Sequence, residues 1–149
     1  MRAVLQRVRR AAVCVDGNTV GAIGKGTVIF LGVKNGDTEV DAKYLAEKSC
    51  ALRIFEDRNG KMNLSLADVG GSVLVISQFT LYGDARKGNR PSFVDAAPSE
   101  IAEPLYDEYT KHCRRILGDE KVDVGVFRAM MEVELINDGP VTFILESKG

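Results

Sequence analysis

Apolar and polar residues alternate from residue 3 to residue 15, the period of one long half-buried strand or of two short ones. Gly17-Asn18 then offers a turn, residues 19–23 a short strand, and Gly24-Lys25-Gly26 a hairpin turn. Residues 27–33 read TVIFLGV, another buried strand, so the opening third predicts an antiparallel meander. The period changes after Asn35-Gly36. Asp37 or Thr38 is suited to N-cap a helix, Asp41 adds negative charge to its first turn, and Val40, Tyr44, Leu45 and Lys48 follow helical spacing towards an end near Ala51. A short strand at Arg53-Ile54-Phe55, a turn at Asp57-Arg58-Asn59-Gly60 and one helical turn within 64–69 lead to a central strand at 72–79. The run Val73-Leu74-Val75-Ile76 inside it predicts burial on both faces. Pro98-Ser99 opens a second helix with Ile101, Leu105, Tyr109, Cys113 and Ile116 on one stripe. Pro104 lies within it, where a kink or a delayed start is expected. Two last strands, 131–136 and 141–145, are joined through Asn137-Asp138-Gly139-Pro140. This order predicts an α+β fold: a single domain over 1–149, with a mostly antiparallel sheet and two main helices.

Composition narrows the class. A chain of 149 residues, 45% hydrophobic and 28% charged, can bury a real core without staples. No apolar stretch approaches the ~20 residues of a membrane span, and Met1-Arg2-Ala3-Val4-Leu5-Gln6-Arg7 lacks the apolar region of a signal peptide, so a cytoplasmic location is expected. Cys14, Cys50 and Cys113 are odd in number and widely spaced, which argues against a disulfide framework and a zinc site and for small, semi-buried apolar residues. The net charge of −1 excludes a general nucleic-acid coater. Two basic clusters remain, Arg2, Arg7, Arg9 and Arg10 at the start and Arg86, Lys87 and Arg90 later; charge alone reads both as solvated surface.

Several chemistries fall away. His112 is expected on the polar side of the second helix, at the surface, and adjacent helical residues such as His112 and Cys113 do not face each other. Gly21-Ala22-Ile23-Gly24-Lys25-Gly26 lacks the spacing of a phosphate loop and precedes a strand. Glu56-Asp57 reads as a solvated turn. What remains is the polar end of the central strand, where Ser77 and Thr80 supply hydroxyls, Gln78 an amide, and the N–H groups of Phe79 and Thr80 lie beyond the ladder. Such N–H groups, aimed at one point, stabilise an oxyanion; the same residues also suit the plain start of a loop. Gly139-Pro140 sets a proline between two strands, where it gives up a ladder bond. This pair can point two carbonyls the same way, a receptor for an ammonium group, or form an ordinary turn.

Ser77-Gln78-Phe79-Thr80-Leu81 and Asn137-Asp138-Gly139-Pro140-Val141-Thr142 together resemble D-aminoacyl-tRNA deacylase. Gln6-Arg7-Val8, Arg53-Ile54-Phe55, Gly60-Lys61-Met62-Asn63, Gly70-Gly71-Ser72-Val73-Leu74-Val75 and Arg90-Pro91-Ser92-Phe93 extend the resemblance over nearly the whole chain. It implies the family's fold with a barrel-like core, hydrolysis of the ester between a D-amino acid and the terminal adenosine of tRNA, removal of glycine from mischarged tRNA, and no cofactor or metal. It also implies a homodimer in which Gly139 and a cis Pro140 enter the partner's site and exclude L side chains by shape. Carried over residue by residue, Ser77, Gln78, Phe79 and Thr80 would bind the ester and form the oxyanion hole. Phe127 and Met131 would line the adenosine pocket, ordinary core being the other option, and Arg7 would support the Gly-Pro pair. Thr80 has no general base near it in sequence, which favours assistance by the 2′-OH of the substrate ribose. Met130, acidic in some relatives, and Pro104 depart from the family pattern. Two other functions compete: a non-catalytic nucleic-acid-binding protein using Arg86, Lys87 and Arg90, and an unrelated hydrolase of small esters.

Overall fold

The computed structural model describes residues 1–148; Gly149, the last residue of the expected domain, lies outside them. In chain order the elements are β1 (Arg2–Val15), β2 (Asn18–Ile23), β3 (Gly26–Gly32), α1 (Glu39–Ala51), β4 (Phe55–Glu56), β5 (Met62–Leu64), α2 (Leu66–Val69) and β6 (Ser72–Ser77). A 3-10 turn (Phe79–Tyr82), α3 (Ser99–Leu117), a second 3-10 turn (Asp119–Lys121), β7 (Val122–Val124) and β8 (Glu132–Glu146) complete the chain. The fold is α+β. No helix among the described residues is long and apolar enough to cross a membrane.

β1 is the spine. Its first half pairs antiparallel with β3, its second half with β2, and its other edge with β8 along nearly its whole length. The expected meander is therefore replaced: β2 and β3 run one after the other back along β1, and Gly24-Lys25 is a bend that keeps the direction, not a hairpin. The physical reason is length, since a strand of 14 residues has room for two consecutive partners on one edge. Beyond β3 the sheet turns parallel, through β6 to β7. Ala22 N–H donates to Asp123 Oδ2 at 2.8 Å, bringing β2 against β7 and nearly closing the mixed sheet on itself. Close approach also explains Gly26, where a Cβ would lie 1.7 Å from the Ser72 carbonyl oxygen.

β6 is buried on both faces, as its apolar run predicts. Val73 and Val75 join Leu5, Ile29, Leu45 and Tyr109 under the helices, while Leu74 and Ile76 join Val8, Val13 and Val28 on the opposite face. Each such burial contributes roughly 1.5–3 kcal/mol. α1 begins at Thr38 with a capping box to Asp41, and Ser65 caps α2 in the same way. Leu64, expected within that helical turn, instead pairs with Phe55 in β5.

Other expectations are corrected. The strand expected at 53–55 starts only at Phe55, because Ile54 O accepts from Arg7 Nη1 (2.8 Å) rather than from a ladder. β6 stops at Ser77 where the chain turns into the 3-10 helix. The two strands expected after residue 130 are one, β8; there the interval 6–8 of β1 faces the interval 137–142 of β8, so the proline segment bulges from a continuous ladder. On α3, Leu105, Tyr109 and Cys113 are buried, but Ile101 and Ile116 are exposed at the two ends of the helix. His112 is buried, not on the surface, with Nε2 3.1 Å from Glu108 Oε1. The buried arc of α3 also takes in Tyr106 and Thr110, wider than the single stripe expected. Cys50 and Cys113 are buried and Cys14 partly so.

Burial, with the charge of Asp37 next in weight, raises the Tyr82 phenol to about 12, and burial drives Tyr106 and Tyr109 upward as well. Below pH ~10 these phenols keep their protons folded or unfolded. Above it the unfolded chain releases protons that the folded chain retains, so stability must fall as pH rises from about 10 to about 12. Urea midpoints across that range, with phenolate absorbance in a Tyr44→Phe background that removes the exposed ring, check this: the phenolates of Tyr82, Tyr106 and Tyr109 should appear together with unfolding, not before it.

Candidate functional site

At the end of β6 the Gln78 N–H still donates to Leu31 O at 2.8 Å, and then the chain folds into the 3-10 turn. The first bond closing that turn runs from Leu81 N–H to Gln78 O (3.3 Å), so the N–H groups of Phe79 and Thr80 precede any intrahelical partner. Gln78 Nε2 donates to Thr80 Oγ1, which orients the threonine hydroxyl. The turn is anchored from beneath: Tyr82 is buried, the Arg2 guanidinium lies 4.8 Å from its ring centre, and Arg2 Nη1 donates to Leu81 O at 2.7 Å. Phe79 is left 59% exposed, packed edge-on against Phe93 with ring centres 5.1 Å apart.

The start of this turn borders a cleft of about 610 Å³, while Thr80 is exposed and does not line it. Ser77, Gln78, Phe79, Phe127 and Met131 line it together, as does the exposed Met130. Phe127 is held from behind by Tyr106 (centres 5.8 Å apart), whose hydroxyl donates to Val75 O at 2.7 Å. Met131 enters the cleft past Gly125, where a Cβ would stand 2.6 Å from its sulfur. Among the described residues lining the cleft the one charged side chain is Arg128, and there is no histidine or carboxylate. The site therefore offers apolar walls, amide and hydroxyl groups and main-chain donors; it suits binding of a planar, aromatic group and stabilisation of an oxyanion, not general-base catalysis.

Gly139 and Pro140 form a second constellation that does not line this cleft. Their peptide bond is cis, Gly139 has φ +141, and both residues are exposed on the bulge of β8. Side chains tie that bulge from both flanks. Arg7 Nε donates to Asp138 O (3.0 Å) and Arg7 Nη1 to Ile54 O (2.8 Å). Asn137 Oδ1 accepts from Val141 N–H (3.0 Å), while Asn137 Nδ2 and Gln6 Nε2 both donate to Thr142 Oγ1 (3.2 Å each). Arg7 is only 6% exposed, so reading the N-terminal basic cluster as solvated surface is wrong for this member. Arg9 and Arg10 are exposed, near Asp138 and Glu134 respectively. Sequence reasoning gave no separate role to Phe93, which appears only within Arg90-Pro91-Ser92-Phe93. It also missed the Asn137 clamp, whose signal was an asparagine beginning a turn ahead of the glycine.

A sequence model described as D-Tyr-tRNA(Tyr) deacylase matches residues 4–146. The chain belongs to that family. D-Aminoacyl-tRNA deacylase of Halalkalibacterium halodurans is 58% identical over 99% of this chain and 100% of that protein, and that of Desulfatibacillum aliphaticivorans 60% identical over 99% and 100%. Members of this deacylase family are hydrolases of ester bonds, and this chain is one of them by descent. Among solved structures, one described as c-Myc DNA Unwinding Element Binding Protein is 41% identical with a TM-score of 0.95 over 100% of both chains. A probable eukaryotic D-amino acid tRNA deacylase, 18% identical, shares the fold at a TM-score of 0.85, covering 97% of this chain and 98% of that one.

In this deacylase-family chain Arg7 donates to two carbonyls distant in sequence, Ile54 O and Asp138 O. Arg7→Met should leave the buried Ile54 oxygen and the partly buried Asp138 oxygen without that donor and cost about 1–3 kcal/mol. Chemical denaturation measures this; an unchanged midpoint would show the guanidinium to be dispensable.

Proposed function

We propose that this chain is a D-aminoacyl-tRNA deacylase, a single catalytic domain acting in the cytoplasm. The observation that carries the reading is the pair of main-chain N–H groups, Phe79 and Thr80, left without intrahelical partners where the 3-10 turn starts, with Phe79 lining an apolar cleft and Thr80 next to it in the chain. The terminal adenosine stacks between Phe127 and Met131, and the ester carbonyl points at Phe79 and Thr80, with Ser77 and Gln78 completing its surroundings. Water adds to the carbonyl carbon, the bond from that carbon to the ribose oxygen breaks, and the ribose oxygen leaves with a proton. Free D-amino acid and tRNA result. The ribose 2′-OH assists, since no carboxylate or histidine lines the cleft to activate Thr80.

The α-ammonium is received by the carbonyls of Gly139 and Pro140 from a second copy, making the working unit a homodimer. Supporting this are the exposure of both residues, their rigid bracing by Arg7 and Asn137, and their position outside the cleft of their own chain. An L side chain would meet main chain there, whereas glycine, having none, would be hydrolysed from mischarged tRNA. The name of the 41%-identical structure favours a second reading, nucleic-acid binding without catalysis.

Purified protein should deacylate D-Tyr-tRNA at least about a hundredfold faster than L-Tyr-tRNA, a discrimination of ~2.7 kcal/mol or more. Equal rates would remove the filter, and binding of any RNA with steep salt dependence but no hydrolysis would leave only the second reading. Thr80→Ala should retain activity within roughly tenfold of the unchanged protein, as expected when a side chain orients rather than attacks. Abolished turnover with tRNA binding intact would make the hydroxyl the nucleophile.

A further inference from the structure

The 3-10 turn that borders the apolar cleft through Phe79 borders a second depression through Tyr82. This one measures about 420 Å³ and is lined by Arg2, Lys34, Tyr82, Asp84, Arg86 and Asp95, among others. Its character is different: three cations against two carboxylates in a protein whose net charge is −1.

The cations are not alike. Arg2 is engaged by Glu146 and by Leu81 O. Arg86 is locked into place by Asp84, with Nε 2.9 Å from Oδ1 and Nη2 2.7 Å from Oδ2, and that guanidinium holds the Asp84 carboxyl down at about 2. The guanidinium keeps N–H donors beyond those two. Lys34 has no carboxylate within ion-pairing distance among the described residues, and it is exposed. The loop that carries Arg86 is pinned at both ends. Asp84 and Ser92 exchange main-chain bonds (2.7 and 2.9 Å), and Asn35, next to Lys34, donates to Asp95 O (2.9 Å) and Val94 O (2.7 Å). Lys34 and Arg86 are thus presented from fixed backbone, with Lys87 and Arg90 exposed further along the same loop. The exposed rings of Phe79 and Phe93 line the apolar cleft, and Phe93 lies against Gly83, which lines the charged depression. Cations tracking a backbone beside aromatic faces on which bases stack are the physical requirements for gripping a single nucleic-acid strand.

We propose that this depression seats the backbone phosphates of the tRNA acceptor end, with Lys34 and Arg86 as the phosphate contacts and Lys87 and Arg90 extending the track. The inference rests on the deacylase reading: with the terminal adenosine in the apolar cleft, a strand crossing the 3-10 turn comes directly onto this depression. Asp95 and Asp84 on the rim keep the patch selective for a strand placed by the cleft, because the local excess of positive charge is too small to hold a polyanion indiscriminately.

The test compares two substrates, D-Tyr-tRNA and 3′-O-D-tyrosyladenosine, which carries no phosphate. Lys34→Ala should raise KM for D-Tyr-tRNA about five- to tenfold with kcat nearly unchanged, and Lys34→Arg should restore it. The slope of log kcat/KM against log salt should flatten by about 0.7, because one phosphate is no longer neutralised. Adding Arg90→Ala should deepen both effects, while turnover of 3′-O-D-tyrosyladenosine stays at the level of the unchanged protein. Parallel losses on both substrates, or no loss on D-Tyr-tRNA, would overturn the proposal. Binding of uncharged tRNA, followed by fluorescence anisotropy, should weaken by the same factor in Lys34→Ala, and unaltered binding would overturn it even in a protein with no hydrolytic activity. Inactivity of the unchanged protein on both substrates would instead sink the deacylase reading, a separate result.

Discussion

Pairing of β1 on both of its edges is the constraint from which the rest of the structure follows. One edge carries β2 and β3 in succession and the other carries β8, so this strand holds together the start and the end of the chain. A slip of one residue would turn Ala3 and Leu5 out of the core and bring Val4 and Gln6 in, which the buried face cannot accept. With β3 located, β6 and β7 follow by parallel pairing, and β6 ends in its polar residues beside Leu31 of β3. The same register places the bulge of β8 opposite Arg7, where the residues between Asn137 and Thr142 leave the ladder.

Both constellations are built from main chain more than from side chains. Where β6 gives way to the 3-10 turn the N–H groups of Phe79 and Thr80 precede any intrahelical partner, and mostly apolar side chains shape the cleft alongside. On the bulge Gly139 and Pro140 are exposed main chain, and Arg7, Asn137 and Thr142 hold the segment on either side of them. Burying a guanidinium is costly unless its donors are satisfied, and Arg7 meets that condition with two carbonyl acceptors and a neighbouring carboxylate 3.7 Å away. Main-chain groups held this way need no reorganisation when a substrate arrives, which suits an ester already prone to hydrolysis.

A site made of main chain also accounts for the relation between the two depressions. One short turn separates apolar walls from cations, so two surfaces of different chemistry meet on the same structural element. Tyr82 is common to both arrangements: buried, it fixes the turn, and under Arg2 it forms the floor of the charged side.

Local pattern alone determined a good deal. The run Val73-Leu74-Val75-Ile76 can only be satisfied by burial on both faces, Thr38 with Asp41 marks a helix start, and the polar residues after Ile76 and the proline at 140 stand out because each breaks a rule of strands. Only tertiary structure decided who pairs with whom. A period of two assigns residues to faces but names no partner, so the path of β2 and β3 along β1, the parallel β6 and β7, and the continuity of β8 through Gly139-Pro140 were not readable. Burial of Arg7 and His112 was hidden for the same reason: their charge says water, and only neighbours distant in sequence, or a buried arc wider than one stripe, supply the partners that let them leave it.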